Sequence, residues 1–147
     1  MLLLLLKNIK RWIMSVLGKL KGKYPDALVW SFGDSSELAD ELVSLVISGR
    51  KTASCCSLKS YLSEGAIIKI GGLNIILNGN QQPVCVIRTT SLKLVRFNDV
   101  TEEFAKKEGD LSFENWREGH KDFFSREGSF SDDMELVAEE FELIEIT

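Results

Sequence analysis

Ile9, Trp12, Ile13, Val16, Leu17 and Leu20 recur at helical spacing with Lys and Arg between them, and Gly22 and Pro25 interrupt the pattern. This predicts a basic amphipathic helix, most simply one that packs on the domain with a solvated basic face; a membrane-surface or RNA-facing role is the sharper alternative. In "ALVWSFGDSSE" an apolar segment runs into a turn where Asp34 or Ser35 caps a second helix, with Leu38, Leu42, Leu45 and Val46 as its buried face and Gly49 as its stop. "GRKTASCCS" then turns from helix to strand. "AIIKIGG", "LNIIL" and "VCVIRTTSLKLVRF" read as further β runs, separated by Gly71-Gly72 and by Asn78-Gly79-Asn80 ahead of Pro83. "TEEFAKKEG" and "LSFENWREGHKDFFSRE" read as helices and "ELVAEEFELIEIT" as a last strand. Strands in series without βαβ alternation predict an α+β fold, a small mixed-strand barrel with peripheral helices.

Charge changes this picture at one end. Residues 1–23 hold six of the eighteen basic side chains and none of the twenty-two acidic ones, so the remainder is strongly acidic. An acidic body argues against nonspecific adhesion to a phosphate backbone, whose affinity comes from many Lys and Arg contacts. The division expected is a basic helix over 1–23 and one domain over 24–147. "MLLLLLK" has no basic segment before it and no small-residue cleavage pattern after it, and Lys7, Lys10 and Arg11 break the apolar run well short of the roughly 20 residues of a membrane span. The expectation is therefore a cytoplasmic protein with no membrane span. The pattern specifies no oligomeric state. Cys55, Cys56 and Cys85 are an odd count with two adjacent, read as buried reduced thiols, and with the single His120 they lack zinc-site spacing, so no metal is assigned.

Candidate chemistry starts at Lys51, a cation at a helix-to-strand corner beside hydroxyls. Its plain role is a helix-terminal charge with a packed stem. Its functional role is as a base or anion holder. Ser54 lies three residues on, and in an extended strand it sits on the opposite face to Lys51, so a Lys-Ser pair requires a bend; Thr52 shares the face of Ser54. Glu108 ends a short helix, where the helix dipole disfavours a carboxylate; neighbouring Lys106 and Lys107 offer the simple explanation. Trp116, His120 and Phe124 stand at successive helical turns, either a core stripe or a base-stacking shelf. Arg117 and Arg126 are candidates for phosphate contact, with Glu118 and Glu127 as the alternative partners.

"WSFGDSSELADELVSLVISGRKTAS" followed by "PVCVIRTTSLKLVRFNDVTEEFAKKEGDLSFENWREGHKDFF" resembles the ASCH domain family, whose fold is related to the PUA RNA-binding barrel. The resemblance covers roughly residues 30 to 146. The basic leader, the poly-leucine start and "IGGLN", where relatives more often have Gly-Asp, depart from it.

The resemblance implies an RNA-related role in one of three forms. In a ribonuclease relative, which the longer layout favours slightly, the motif lysine falls on Lys51 and a late serine on Ser125. Lys51 then stabilises charge on a scissile phosphate of single-stranded RNA, Arg117 or Arg126 holds a neighbouring phosphate, and Mn2+ or Mg2+ sits on carboxylates such as Glu108 or Asp110. In relatives that hydrolyse N4-acetylcytidine, the lysine, hydroxyl and glutamate fall on Lys51, Ser54 and Glu108. There Lys51 takes the proton of Ser54, which attacks the acetyl carbonyl, and Arg50 and Thr52 flank the substrate. The third form is a noncatalytic module that binds RNA or a modified base, stacking it on Trp116 or Tyr61 beside His120.

Overall fold

The computed structural model describes residues 1–64 and 67–147, and their side chains except those of 12–15. Trp12 and Ile13 of the expected apolar stripe thus lie outside the described side chains. The first helix, α1 (Leu2–Lys23), carries Lys21 and Lys23 in its last turn, where cations suit the helix dipole. Lys21 closes the turn, its Nζ donating to the carbonyls of Pro25 and Ala27 at 3.1 and 2.7 Å. Val16, Leu17, Leu20 and Tyr24 pack with Ala27, Ile75 and Val86, so the last turns of α1 belong to the core. Residues 1–11 are exposed throughout. Deleting them is expected to change stability by less than about 0.5 kcal/mol, readable as an unchanged thermal melt.

After β1 (Leu28–Trp30), α2 (Ser36–Ile47) is capped by Ser35, whose Oγ accepts from the Leu38 N–H at 3.2 Å. Its fully buried residues are Ala39, Val43 and Val46. Leu38, Leu42 and Leu45, expected with Val46 as its buried face, are half-buried and line a cleft, and Leu42 also packs against the core. Then β2 (Ala53–Ser57) leads directly into α3 (Leu58–Ser63), which Ser57 caps by accepting from the Ser60 N–H. The sequence pattern predicts no helix at this six-residue segment. Nor is "AIIKIGG" a strand: residues 67–72 are irregular, with Ile67 and Ile70 exposed, and Ala66 lies outside the described residues. The run meets the sheet at its end, where the Gly71 N–H donates to the Thr89 carbonyl and the Gly72 carbonyl accepts from the Thr89 N–H.

The remaining strands are β3 (Leu73–Leu77), β4 (Pro83–Arg96) and β5 (Glu135–Ile146), with α4 (Glu102–Lys107) and α5 (Phe113–Glu127) between the last two. They form one mixed sheet in the order β1-β3-β4-β5-β2, parallel only between β1 and β3. Register shifts at Val86/Ile87 and Thr89/Ser91 interrupt the long β4–β5 pairing, and such bulges bend and twist a strand. The result is an α+β half-barrel whose edge strands β1 and β2 are not hydrogen-bonded to each other. Among the described residues no helix is long and apolar enough to cross a membrane.

Candidate active site

Three contacts build the corner at Lys51. Its N–H donates to the Leu45 carbonyl at the end of α2, the Thr52 N–H donates to the Lys107 carbonyl of α4, and the Thr52 carbonyl accepts from Phe141 of β5. Helix, strand and the end of α4 therefore meet at one point. Gly109 makes the approach feasible: its φ is +94°, and a Cβ there would meet the side chain of Leu45 at 3.2 Å and that of Lys51 at 3.5 Å.

This packing buries both Lys51 and Glu108, leaving them 4% and 3% exposed. Lys51 Nζ lies 3.6 Å from Glu108 Oε1, 3.3 Å from the Glu108 carbonyl and 5.4 Å from the centre of the Phe32 ring. On the other oxygen of the carboxylate, Oε2 accepts from Trp116 Nε1 and from the Cys55 thiol at 3.5 Å, and faces His120 Nε2 at 3.3 Å. Burial by itself would push this carboxyl up, but His120, Lys51 and the Trp116 hydrogen bond hold it down at about 2. Burial opposes charge on His120 as well, yet the Glu108 carboxylate outweighs it and raises the imidazole. His120 Nδ1 faces the Trp116 carbonyl at 2.8 Å, so that nitrogen carries a proton, and Nε2 against a carboxylate favours a second. With His120 charged, one carboxylate lies between two cations and the cluster carries a net positive charge.

The cluster opens into a cleft also lined by Ser54, Asp110, Phe123 and Arg126. A second cavity, about 350 Å3, lies between the edge strands β1 and β2. Phe32, Gly33, Ser54, Cys55 and Phe123 line both, so the two are lobes of one depression that meet at Ser54.

The structure brings together Lys51, Ser54, Glu108 and His120, but it shows no hydrogen bond between Lys51 Nζ and Ser54 Oγ among the described residues. Trp116 has no exposed surface: it stacks on His120 at 4.3 Å and forms core with Phe97, so it is unable to stack on a base. Tyr61 lines the second lobe, its hydroxyl donating to the Ile68 carbonyl. Arg126 pairs with Asp34 at 3.0 Å instead of Glu127, which accepts from Ser57. Arg117 lies over the rings of Phe97 and Phe113, outside both lobes. Ser125, Arg50 and Thr52 are exposed and line neither lobe.

A hard divalent ion does not fit this cluster. Mg2+ and Mn2+ prefer several oxygen ligands. Among the described residues the ligand atoms within 4.8 Å of one another are those of Cys55, Glu108 and His120, and the Glu108 oxygens are already engaged by the Trp116 N–H and the Lys51 ammonium.

The sequence pattern gives Cys55 only as a buried reduced thiol, not as a partner of Glu108, and it does not single out Glu139. Glu139 is 5% exposed and lines the second lobe, its Oε1 accepting from the Thr89 hydroxyl at 3.0 Å. The apolar context held the signal: Val137 and Phe141, on the same face of β5 as Glu139, and its neighbours Leu136 and Ala138 are all buried, so a carboxylate among them is anomalous.

Comparison with known proteins agrees with this architecture. A crystal structure of a protein from Enterococcus faecalis V583 superposes with a TM-score of 0.78 at 38% identity, covering 92% of this chain and 94% of that one. The ASCH domain structure from Lactobacillus crispatus JV V101 gives 0.74 at 33% identity, over 92% and 90%. A variant of ZmASCH from Zymomonas mobilis, at 13% identity with TM-score 0.53 over 83% and 73%, shares the fold alone. No curated protein sequence matches the chain. The family model for the ASCH domain matches residues 28–145, and the chain belongs to that family.

Proposed function

We propose that this protein is a hydrolase of a modified nucleoside, cleaving an N-acyl group from a cytidine-type base as in N4-acetylcytidine. The observation that carries the reading is the buried Lys51–Glu108–His120 cluster opening beside Ser54 into a cleft. Acyl transfer develops negative charge on the carbonyl oxygen, and fixed cations in a water-poor site stabilise it far better than they do in bulk water. Lys51 and His120 supply those cations, while Glu108 and Trp116 hold them in place. Ser54 is the nucleophile: its Oγ bonds to the acyl carbon, the C–N bond breaks, and water then releases the carboxylic acid. Serine where relatives carry threonine keeps the hydroxyl and gives up a methyl that restricts its rotamer.

Cleavage of single-stranded RNA finds less support. It relies on Ser125, which lies outside the cleft, on Arg117, also outside, or Arg126, which lines the cleft but is paired with Asp34, and on Mg2+ or Mn2+, which the Cys55–Glu108–His120 donor set does not suit. Two serine variants separate the readings. Ser54→Ala is expected to lower kcat/KM for N4-acetylcytidine by at least about 1,000-fold, and Ser125→Ala to leave it within about twofold. Labelled single-stranded RNA with Mn2+ forms the parallel arm. Cleavage there, lost in Ser125→Ala and kept in Ser54→Ala, would reverse the proposal. Inert wild type in both arms would leave a module that binds without turnover.

A further inference from the structure

We propose that Glu139 is the acid–base partner of Ser54 and a catalytic residue of this site. The proposal rests on the hydrolase reading above, though its geometry does not depend on which acyl substrate is cleaved. Ser54 and Glu139 are direct register partners on the antiparallel strands β2 and β5. Side chains so paired share a face, with Cβ atoms roughly 4.5–5.5 Å apart. Both line the same lobe, and Ser54 also borders the cationic cluster. Lys51, by contrast, is engaged by Glu108.

Glu139 is held for this task. Thr89 donates to its Oε1, and Thr89 in turn accepts from Asn74 Nδ2 at 3.3 Å, while Asn74 Oδ1 accepts from Trp30 Nε1 at 2.9 Å. That relay fixes one carboxyl oxygen. Burial pushes the group up to about 7, partly offset by the Thr89 hydrogen bond and by Lys51. Such a value suits a group that must both accept and donate a proton near neutrality. The other titratable groups around it are Lys51 at the corner, Cys55 and Cys56 on β2, Glu64 beyond α3 and Glu127 on α5. Three carboxylates and no Lys or Arg line this lobe, which suits an amine-bearing heterocycle better than a phosphate.

The proton balance closes on these two residues and water. Glu139 carboxylate takes the Ser54 hydroxyl proton as Oγ bonds to the acyl carbon and the carbonyl electrons move to oxygen. The C–N bond then breaks, and the departing nitrogen takes that proton from Glu139. In the second half Glu139 takes a proton from water as it attacks the acyl-serine, then returns it to Ser54 Oγ as the carboxylic acid leaves.

The test uses the full chain as wild type, Glu139→Gln and Glu139→Asp, with two readouts. In the first, kcat/KM for N4-acetylcytidine is measured from pH 5 to 9. Wild type is expected to rise through about pH 7 on a limb that Glu139→Gln lacks, with Glu139→Gln about 100- to 10,000-fold slower at the plateau and Glu139→Asp recovering part of the rate. In the second, a fluorophosphonate probe reports the reactivity of Ser54 without any acyl substrate. Labelling of the peptide that holds Ser54 is expected to follow the same rise in wild type and to be slow and flat in Glu139→Gln. If N4-acetylcytidine is not turned over but labelling behaves as described, the substrate is wrong and the pairing stands. Labelling of Ser54 that is absent, or equal in wild type and Glu139→Gln, overturns the pairing.

Discussion

Lys51→Met is expected to remove activity and to destabilise the fold by about 3–5 kcal/mol, because it leaves a buried carboxylate without its ammonium partner. In a domain of this size that corresponds to a fall in melting temperature of roughly 6–20 °C. Glu108 would retain Trp116 and His120, so the loss falls short of unfolding under cold conditions. The double variant Lys51→Met/Glu108→Gln tests the cause. Removing both charges removes the desolvation penalty together with the attraction, so most of the stability is expected to return while activity stays absent. Thermal melts of the four proteins in the cycle, with N4-acetylcytidine turnover measured on each, check both halves. A cost in the double variant equal to the sum of the two single-variant costs would show that the pair is not energetically coupled.

The second large effect is a dependence of stability on pH that comes from Glu139. Its carboxyl titrates near 4.5 in the unfolded chain and near 7 in the fold, where burial disfavours the charge. Between those values the native state holds a proton that the unfolded state has released, so stability falls as pH rises from about 4.5 to about 7. The full difference is about 3 kcal/mol above pH 7. Glu139→Gln keeps the shape and a partner for Thr89 without a charge. It is expected to match wild type at pH 4.5 and to exceed it by up to about 3 kcal/mol at pH 8, measured by urea unfolding at each pH. A constant difference between the two proteins across that range would show that Glu139 does not titrate as described. The same variant is expected to lose activity, so its gain in stability excludes misfolding as the cause. A stabilising change that abolishes function is the usual signature of a group held at a site at some cost to the fold.

Local pattern made much of the scaffold legible. The helices over 36–47, 102–107 and 113–127, the long strands ending at Arg96 and Ile146, and the corner at Lys51 all follow from periodicity, serine and threonine caps, and glycine stops. The run "AIIKIGG" shows the limit, since its composition is that of a strand while residues 67–72 are irregular, meeting the sheet at its end, where Gly71 and Gly72 exchange backbone hydrogen bonds with Thr89. Strand propensity describes fit to a pleated surface that a neighbour must supply.

The site divides in the same way. The sequence by itself determined that Lys51 stands at a helix-to-strand turn, that Ser54 follows on a strand, and that Trp116, His120 and Phe124 share a helix face, because each depends on spacing along a single element. Only the tertiary structure decided that Glu108, 57 residues from Lys51, is its buried counter-ion, that Trp116 serves the carboxylate instead of a base, and that Ser54 lies opposite Glu139. Those pairings depend on the register of β2 against β5 and on how α4 and α5 dock. A one-residue shift of register would turn the face of Ser54 away from that of Glu139 while leaving every local pattern in the sequence intact.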